Sequence, residues 1–379
     1  MNVFIATDYP VYVANGQYLV QDKISTILKR YYEALGSITL CSRFINDTPP
    51  SNYNDVSAFI RAIVAIDLHT SLFAFDNNKI KKGIIPCDLV VGRFDSIVAC
   101  RAARIAHKLG KPVLAEIMAD AWDGYWNHGL KGKILAPYML FANKKAIKNA
   151  DFALYVTQFF LQDRYPCKGI CEHASNVFIP ELDEHILQER LLRIKNMDIK
   201  SITMATTANV DVSAKGQQYV IKALPKLKEK GVVVKYFLIG GGDSHYLKQI
   251  AQNCGVEDQV VFCGEKSLHD VLLFLDSIDI YIQPSLQEGL PRAIIEAMSR
   301  ALPCLGSTTA GIPELLPEDC LFERRAVNGI VNTMLGVLTI NKLEYLARHS
   351  FNTSKDYTDK ILSERRNAFY NKIKEAIKA

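Results

Sequence analysis

The chain has 379 residues, a length that predicts roughly two domains. Its 49% hydrophobic, 22% charged and 9% aromatic residues exclude wholesale disorder, collagen-like repeats and a disulfide scaffold. A net charge of +5 is too weak to imply nucleic acid, and the whole excess lies in residues 1–180, which hold 20 Lys/Arg against 15 Asp/Glu. Residues 101–150 alone carry nine basic and three acidic side chains, with no acid between Asp123 and Asp151. Lys131, Lys133, Lys144, Lys145 and Lys148 fall in that acid-free stretch. No segment approaches the ~20 apolar residues of a membrane span. The most apolar run, Ala58 to Phe75, is broken by Arg61, Asp67 and His69. The opening MNVFIATDYP lacks a basic n-region, so no secretory signal is expected. Nine scattered cysteines suit reduced thiols in a cytosol.

Along the chain, strand and helix patterns alternate, which predicts parallel α/β sheets. Asn2–Thr7 reads as a strand, followed by a loop at Asn15-Gly16-Gln17, a helix over Tyr18–Leu35 and a strand at Ser37–Cys41. Residues 46–56 have loop chemistry. Pro86–Arg93, Pro112–Met118 and Asp151–Thr157 read as strands, with helices at Ser96–Leu109 and Ile134–Asn149. Pro180–Asp183 marks the domain boundary, giving domains at 1–180 and 181–354. The second alternation has strands at Ser201–Thr206, Val232–Gly240, Gln259–Phe262, Asp279–Gln283 and Pro303–Gly306. Helices separate them at Gly216–Lys230, His245–Cys254, Leu268–Leu275 and Arg292–Arg300. Residues 355–379 form a charged amphipathic helix that is a candidate to return to the first domain.

The most informative segment is Gln283–Leu316, QPSLQEGLPRAIIEAMSRALPCLGSTTAGIPELL. A strand ends at Gln283-Pro284-Ser285, Glu288-Gly289 makes a turn, and Pro291 suits the first turn of the next helix. Backbone N–H groups at that helix start, beside the positive end of its dipole, form a phosphate site. Glu288 and Glu296 flank it. For such a pair alone, a solvated helix with a capping glutamate is the competing reading.

Glu288-x7-Glu296 within PSxxEGLPRAxxEAMS, followed by Gly311-Ile312-Pro313-Glu314, resembles the retaining glycosyltransferases of family 4, which have the GT-B fold. Lys215-Gly216, opening a helix after an apolar strand, is similar to that family's phosphate-binding lysine. Gly240-Gly241-Gly242-Asp243 at a strand end is similar to its glycine turn, placing Gly241 near the donor. The resemblance implies two Rossmann-like parallel-sheet domains facing across a cleft, and a nucleotide-sugar donor held mainly by the second. It implies that Glu296 holds the ribose hydroxyls and that Glu288 contacts the donor sugar, with Gly289, Leu290 and Pro291 backbone around it. Lys215 would neutralise the diphosphate leaving group. Relatives carry an Arg six residues before this lysine where this chain has Asn209; Arg292 is a candidate substitute, with a solvated helix residue as the favoured reading of it. Gly16 falls where relatives carry a glycine loop near the diphosphate. The resemblance also implies retention of configuration, no cofactor and no divalent metal, and the chain contains no Asp-x-Asp clamp.

In the first domain, Asp120, Trp122, Trp126 and His128 cluster after the Pro112–Met118 strand. Aromatic faces beside carboxylates suit a sugar acceptor, with a core-packing aromatic turn as the alternative. Cys167-x3-Cys171-x-His173 lacks a second ligand pair for a metal. Gly240-x-Gly242 has His245 where a dinucleotide fingerprint needs glycine. The basic stretch Lys131–Lys148 interleaves Tyr138, Met139, Leu140 and Phe141, which fits an anionic membrane surface better than nucleic acid, with a solvated helix back as the alternative. The reading is a cytoplasmic, peripherally membrane-bound glycosyltransferase acting on a glycan or lipid-linked acceptor of capsule or O-antigen type. The alternatives are a catalytically inactive GT-B scaffold subunit and a GT-B sugar-nucleotide epimerase.

Overall fold

The computed structural model describes residues 1–47, 49, 53–66 and 77–378. The chain divides into two compact units, Met1–Ala174 with Glu364–Ala379, and Ser175–Ser363. The step from first to second unit thus falls before the Pro180 boundary drawn from sequence. The cause is local: Val177 and Ile179 are buried, and the Ile179 carbonyl accepts from the Asp359 N–H at 2.9 Å, which ties this stretch to the second unit.

The strands of the first unit are β1 (Asn2–Ala14), β2 (Gln17–Gln21), β3 (Ser37–Ile45), β4 (Tyr53–Asp55), β5 (Ile60–Ala65), β6 (Leu89–Phe94), β7 (Val113–Ile117), β8 (Phe152–Tyr155) and β9 (Ile170–His173). Its helices are α1 (Asp22–Leu35), α2 (Asn77–Ile84), α3 (Ile97–Lys108), α4 (Ala121–Trp126), α5 (Gly129–Lys148) and α6 (Phe160–Arg164). The parallel part of the sheet runs β5-β3-β1-β6-β7-β8-β9. Every residue of β6, β7 and β8 is buried, as expected of strands covered on both faces.

The N-terminal segment departs from the sequence reading. β1 continues to Ala14, and Asn15-Gly16 is the two-residue turn of a hairpin in which Ala14 opposes Gln17. Asn15 and Gly16 both have positive φ, 51° and 76°, the turn chemistry that an Asn-Gly pair serves in hairpins. Gly16 is therefore not in a strand-to-helix loop, and α1 begins at Asp22 rather than Tyr18. β4 lies inside the stretch read as loop, pairing with β2. α5 starts five residues before Ile134, because Gly132 lets it close on α4: a Cβ there would overlap the Tyr125 carbonyl. Of the Ala58–Phe75 run, β5 is observed and residues 67–75 lie outside the described residues.

The second unit contains β10 (Ser201–Thr207), β11 (Val233–Ile239), β12 (Val260–Gly264), β13 (Ile280–Gln283), β14 (Cys304–Ser307) and β15 (Leu321–Phe322). Its helices are α7 (Glu184–Lys195), α8 (Gln217–Glu229), α9 (His245–Asn253), α10 (Leu268–Asp276), α11 (Arg292–Ser299), α12 (Val327–Val337) and α13 (Ile340–Ser354). The all-parallel sheet runs β12-β11-β10-β13-β14-β15, the doubly wound order in which connections leave the first and fourth strands on opposite faces. A last helix, α14 (Asp359–Lys378), starts in this unit and ends in the first, where Arg366, Phe369, Tyr370 and Ile373 bury one face at helical spacing.

Candidate active site

In an open doubly wound sheet, the crevice lies beyond the carboxyl ends of the strands where the winding reverses. In the second unit that point lies between β10 and β13. Lys215 follows β10 and Glu288 follows β13, so the topology brings together two residues far apart in sequence. Their side chains meet, with Lys215 Nζ 2.8 Å from Glu288 Oε1.

Close backbone packing fixes this meeting. Gly216 has φ of 77°, and a Cβ on it would overlap the Pro284 carbonyl, so the Lys215 turn lies directly against the loop after β13. The Leu286 N–H donates to the Ala214 carbonyl at 2.7 Å, tying the same two loops. A polar chain supports the carboxylate from below. The Thr207 N–H donates to the Tyr281 hydroxyl at 3.2 Å, and that hydroxyl donates to Gln283 Oε1 at 2.6 Å. Gln283 Nε2 donates to Ser285 Oγ at 2.8 Å and to Glu288 Oε1 at 3.3 Å, while Ser285 Oγ donates to Glu288 Oε1 at 2.7 Å. The Ser285 carbonyl is held in turn by the hydroxyls of Ser307 and Thr309, at 2.6 and 2.7 Å.

Gly289, Leu290 and Pro291 are buried. The Gly289 carbonyl accepts from the Gly311 N–H at 2.9 Å, linking the turn to the Gly311–Glu314 segment. Pro291 caps α11 from just outside, and Glu296 lies on the helix. Burial pushes the Glu296 carboxyl above its ordinary pKa, and exposed Arg292 pulls it back. The Glu296 charge also helps raise the Tyr281 hydroxyl, so it acts on the same strand end. Gly240–Gly242 packs on the 208–211 loop: Val210 N–H donates to the Gly241 carbonyl at 2.9 Å, and a Cβ on Gly242 would overlap Asp211. Asn209 is exposed, with its carbonyl accepting from Gln217 Nε2 at 3.2 Å.

The first-unit candidates form a separate cluster. Asp120 caps α4, accepting from the Trp122 N–H at 3.1 Å; it also accepts from the Tyr165 hydroxyl and pairs with Arg164 at 3.3 Å. Trp122 and Trp126 stack at 5.0 Å with rings 15° apart, and the Lys133 ammonium lies 5.6 Å from the Trp126 ring centre. Exposed His128 is turned onto the Gly124 carbonyl. Gly16 lies in the hairpin turn and is not part of this cluster.

The winding of the first sheet reverses between β1 and β6, and two acids missed in the sequence stand there. Asp8 lies where β1 bulges between Ala6 and Pro10, and accepts from Ser96 Oγ at 2.7 Å. Burial pushes its pKa up to about 6, against the Ser96 hydrogen bond and with a smaller push from Asp95. Burial likewise raises Asp95. The only sequence signal was two acids closing apolar strands. No group of His, Cys, Asp or Glu suited to a metal occurs among the described residues.

Residues 201–343 match the family described as glycosyl transferases group 1. Protein CapJ of Staphylococcus aureus is 29% identical over 343 residues, covering 86% of this chain and 84% of CapJ. The putative colanic acid biosynthesis glycosyltransferase WcaL of Escherichia coli is 35% identical over 112 residues, 28% of each chain. Among solved structures, the sucrose-phosphate synthase of Thermosynechococcus elongatus has a TM-score of 0.70 over 99% of both chains at 14% identity. HepE of Anabaena, solved in complex with UDP, has a TM-score of 0.64 over 97% of this chain and 98% of its own, also at 14% identity. These structural likenesses establish the two-unit architecture, and the family match spans the segments that carry Lys215, Glu288 and Glu296. Residues 201–343 are thus similar to glycosyl transferases of group 1, and the chain has the GT-B fold.

Proposed function

We propose that the protein transfers a sugar, with retention of configuration, from a nucleoside-diphosphate donor to a glycan or lipid-linked acceptor in cell-surface polysaccharide assembly. The Lys215–Glu288 pair at the winding reversal of the second sheet carries this reading. The donor diphosphate would take Lys215 from Glu288, and the N-terminal amides of α11 would add their partial charge to that of the lysine. Stabilising the leaving group in this way needs neither a divalent metal nor a cofactor. Among the described residues, Glu288 Oε1 accepts from three donors and Oε2 from none, so Oε2 is the oxygen left for a donor-sugar hydroxyl. Glu296, an acceptor-only carboxylate beside Tyr281, would take the vicinal ribose hydroxyls. The stacked Trp122–Trp126 pair, with Asp120 and His128 nearby, would receive the acceptor sugar. CapJ, WcaL and the amylovoran biosynthesis glycosyltransferase AmsK of Erwinia amylovora support the polysaccharide assignment.

The test is nucleotide release from a panel of sugar nucleotides, with the anomeric form of the product read by NMR. Lys215→Ala and Glu288→Ala should each lower kcat/KM by about 100-fold or more, the scale of losing one electrostatic stabiliser of the transition state. Glu296→Ala should act mainly through KM for the donor. Unchanged turnover in all three variants would remove the site, and an inverted product would remove the retaining mechanism.

A further inference from the structure

The two helices that pack beside one another on the first unit, α3 and α5, contain no acidic residue. Between them lies a groove of ≈ 350 Å³ whose lining includes Arg101, Arg104 and Lys108 from α3, and Tyr138, Phe141 and Lys145 from α5. Burial lowers the Arg101 pKa and Arg104 lowers it further, against an upward pull from Tyr138, so positive charge is crowded at this rim.

α5 itself has two faces. Gly132, Ala136, Met139, Asn143 and Ile147 are buried, at the spacing of one helical stripe. Leu130, Ile134, Tyr138 and Phe141 form the opposite stripe and are 76, 71, 54 and 66% exposed. Large apolar side chains standing clear of the surface in a row mark an interaction face rather than scattered exposure. Lysines at 131, 133, 144, 145 and 148 border the row.

We propose that this face docks on an anionic membrane, with the phosphate of an acidic lipid in the α3–α5 groove. Leu130, Ile134, Tyr138 and Phe141 enter the boundary between headgroups and acyl chains, while the arginines and lysines hold the phosphates. A nucleic acid would match the charge but has no use for Leu130 and Ile134. A second copy of the chain would bring like charges face to face in any two-fold contact. No helix among the described residues is long and apolar enough to cross a membrane, so the contact is with the surface. The inference stands apart from the transfer reaction: of these residues only Lys133 touches the acceptor cluster, at the Trp126 ring, and the substitutions below leave it in place.

The experiment is co-sedimentation of the full chain with vesicles of phosphatidylcholine alone, or with about 30 mol % phosphatidylglycerol. Binding is expected only to the acidic vesicles. Arg104→Glu with Lys145→Glu should weaken it by at least about tenfold. Tyr138→Ser with Phe141→Ser should leave a weaker, wholly salt-reversible contact. Circular dichroism melting and nucleotide release from soluble donor, both unchanged in the variants, show that the fold and the transfer site are intact. Equal sedimentation with neutral and acidic vesicles, or wild-type binding by the charge-reversed variant, overturns the proposal. So does displacement by a short oligonucleotide combined with indifference to the apolar substitutions, which would mark a polyanion site.

Discussion

Glu288 Oε1 accepts from Lys215, Ser285 and Gln283 at once, so three donors fix one carboxylate oxygen before any ligand arrives. Such convergence orients the group at no further entropic cost when substrate binds. Other single residues are held at an energetic disadvantage. Asp8 is half-buried, and its desolvation pushes its pKa up to about 6. A carboxyl with a raised pKa binds a proton more tightly folded than unfolded, so its contribution is fully present below the unfolded value and lost as pH rises through about 6. Asp8→Asn should therefore gain on the parent by about 1–3 kcal/mol between pH 4 and pH 8 in urea unfolding. A gap that is constant with pH would contradict the raised pKa of this carboxyl. Asp8 was illegible as a site residue in the sequence because its position depends on a bulge in β1, and bulges follow from pairing with β3.

At the scale of elements, β7 carries a buried charge network. Glu116 is 1% exposed; it pairs with Arg93 at 2.8 Å and accepts from the Tyr31 hydroxyl at 2.8 Å. Arg366 of α14 is buried in the same neighbourhood, with its pKa lowered to about 10 by burial first and by Arg30 next. Removing one member leaves the others charged and desolvated. Glu116→Gln should cost about 3–5 kcal/mol of stability. By contrast Lys29→Ala, which breaks a pair with both side chains over 60% exposed, should cost less than about 0.5 kcal/mol. Chemical denaturation of both variants decides whether burial sets the difference. The hairpin β1–β2 shows how an element can be misread. VYVANGQYLV contains the Asn-Gly turn and alternating strand pattern, but its apolar residues also fit the start of a helix.

At the scale of the whole molecule, the first unit is completed by the end of the chain. Phe369, Tyr370 and Ile373 are at most 1% exposed, and the Tyr370 ring lies 5.8 Å from Tyr31. Each such side chain contributes about 1.5–3 kcal/mol when buried. A chain ending at Ser363 should lose cooperative unfolding of the first unit, bind the dye ANS there, and keep the native signal of the second. Adding back a synthetic 364–379 peptide should restore the transition. An unaltered melting profile would show that the helix end is dispensable. The charge asymmetry belongs to this scale as well, since the basic excess collects on α3 and α5.

Glu288, Glu296, Lys215-Gly216 and the glycine turn were singled out in the sequence by their resemblance to a family's motifs, while the strand ends, helix starts and glycine turns around them were legible from local chemistry. The alternation of strands and helices was legible for the same reason, since periodicity is a property of neighbours in the chain. Tertiary structure alone decided that Lys215 meets Glu288 and that the Thr207 N–H reaches the Tyr281 hydroxyl beneath them. It also decided that Asp8 closes on Ser96 and that residues 364–379 complete the first unit. These contacts join segments tens to hundreds of residues apart, and strand order, which no local pattern encodes, determines which loops share an edge of the sheet.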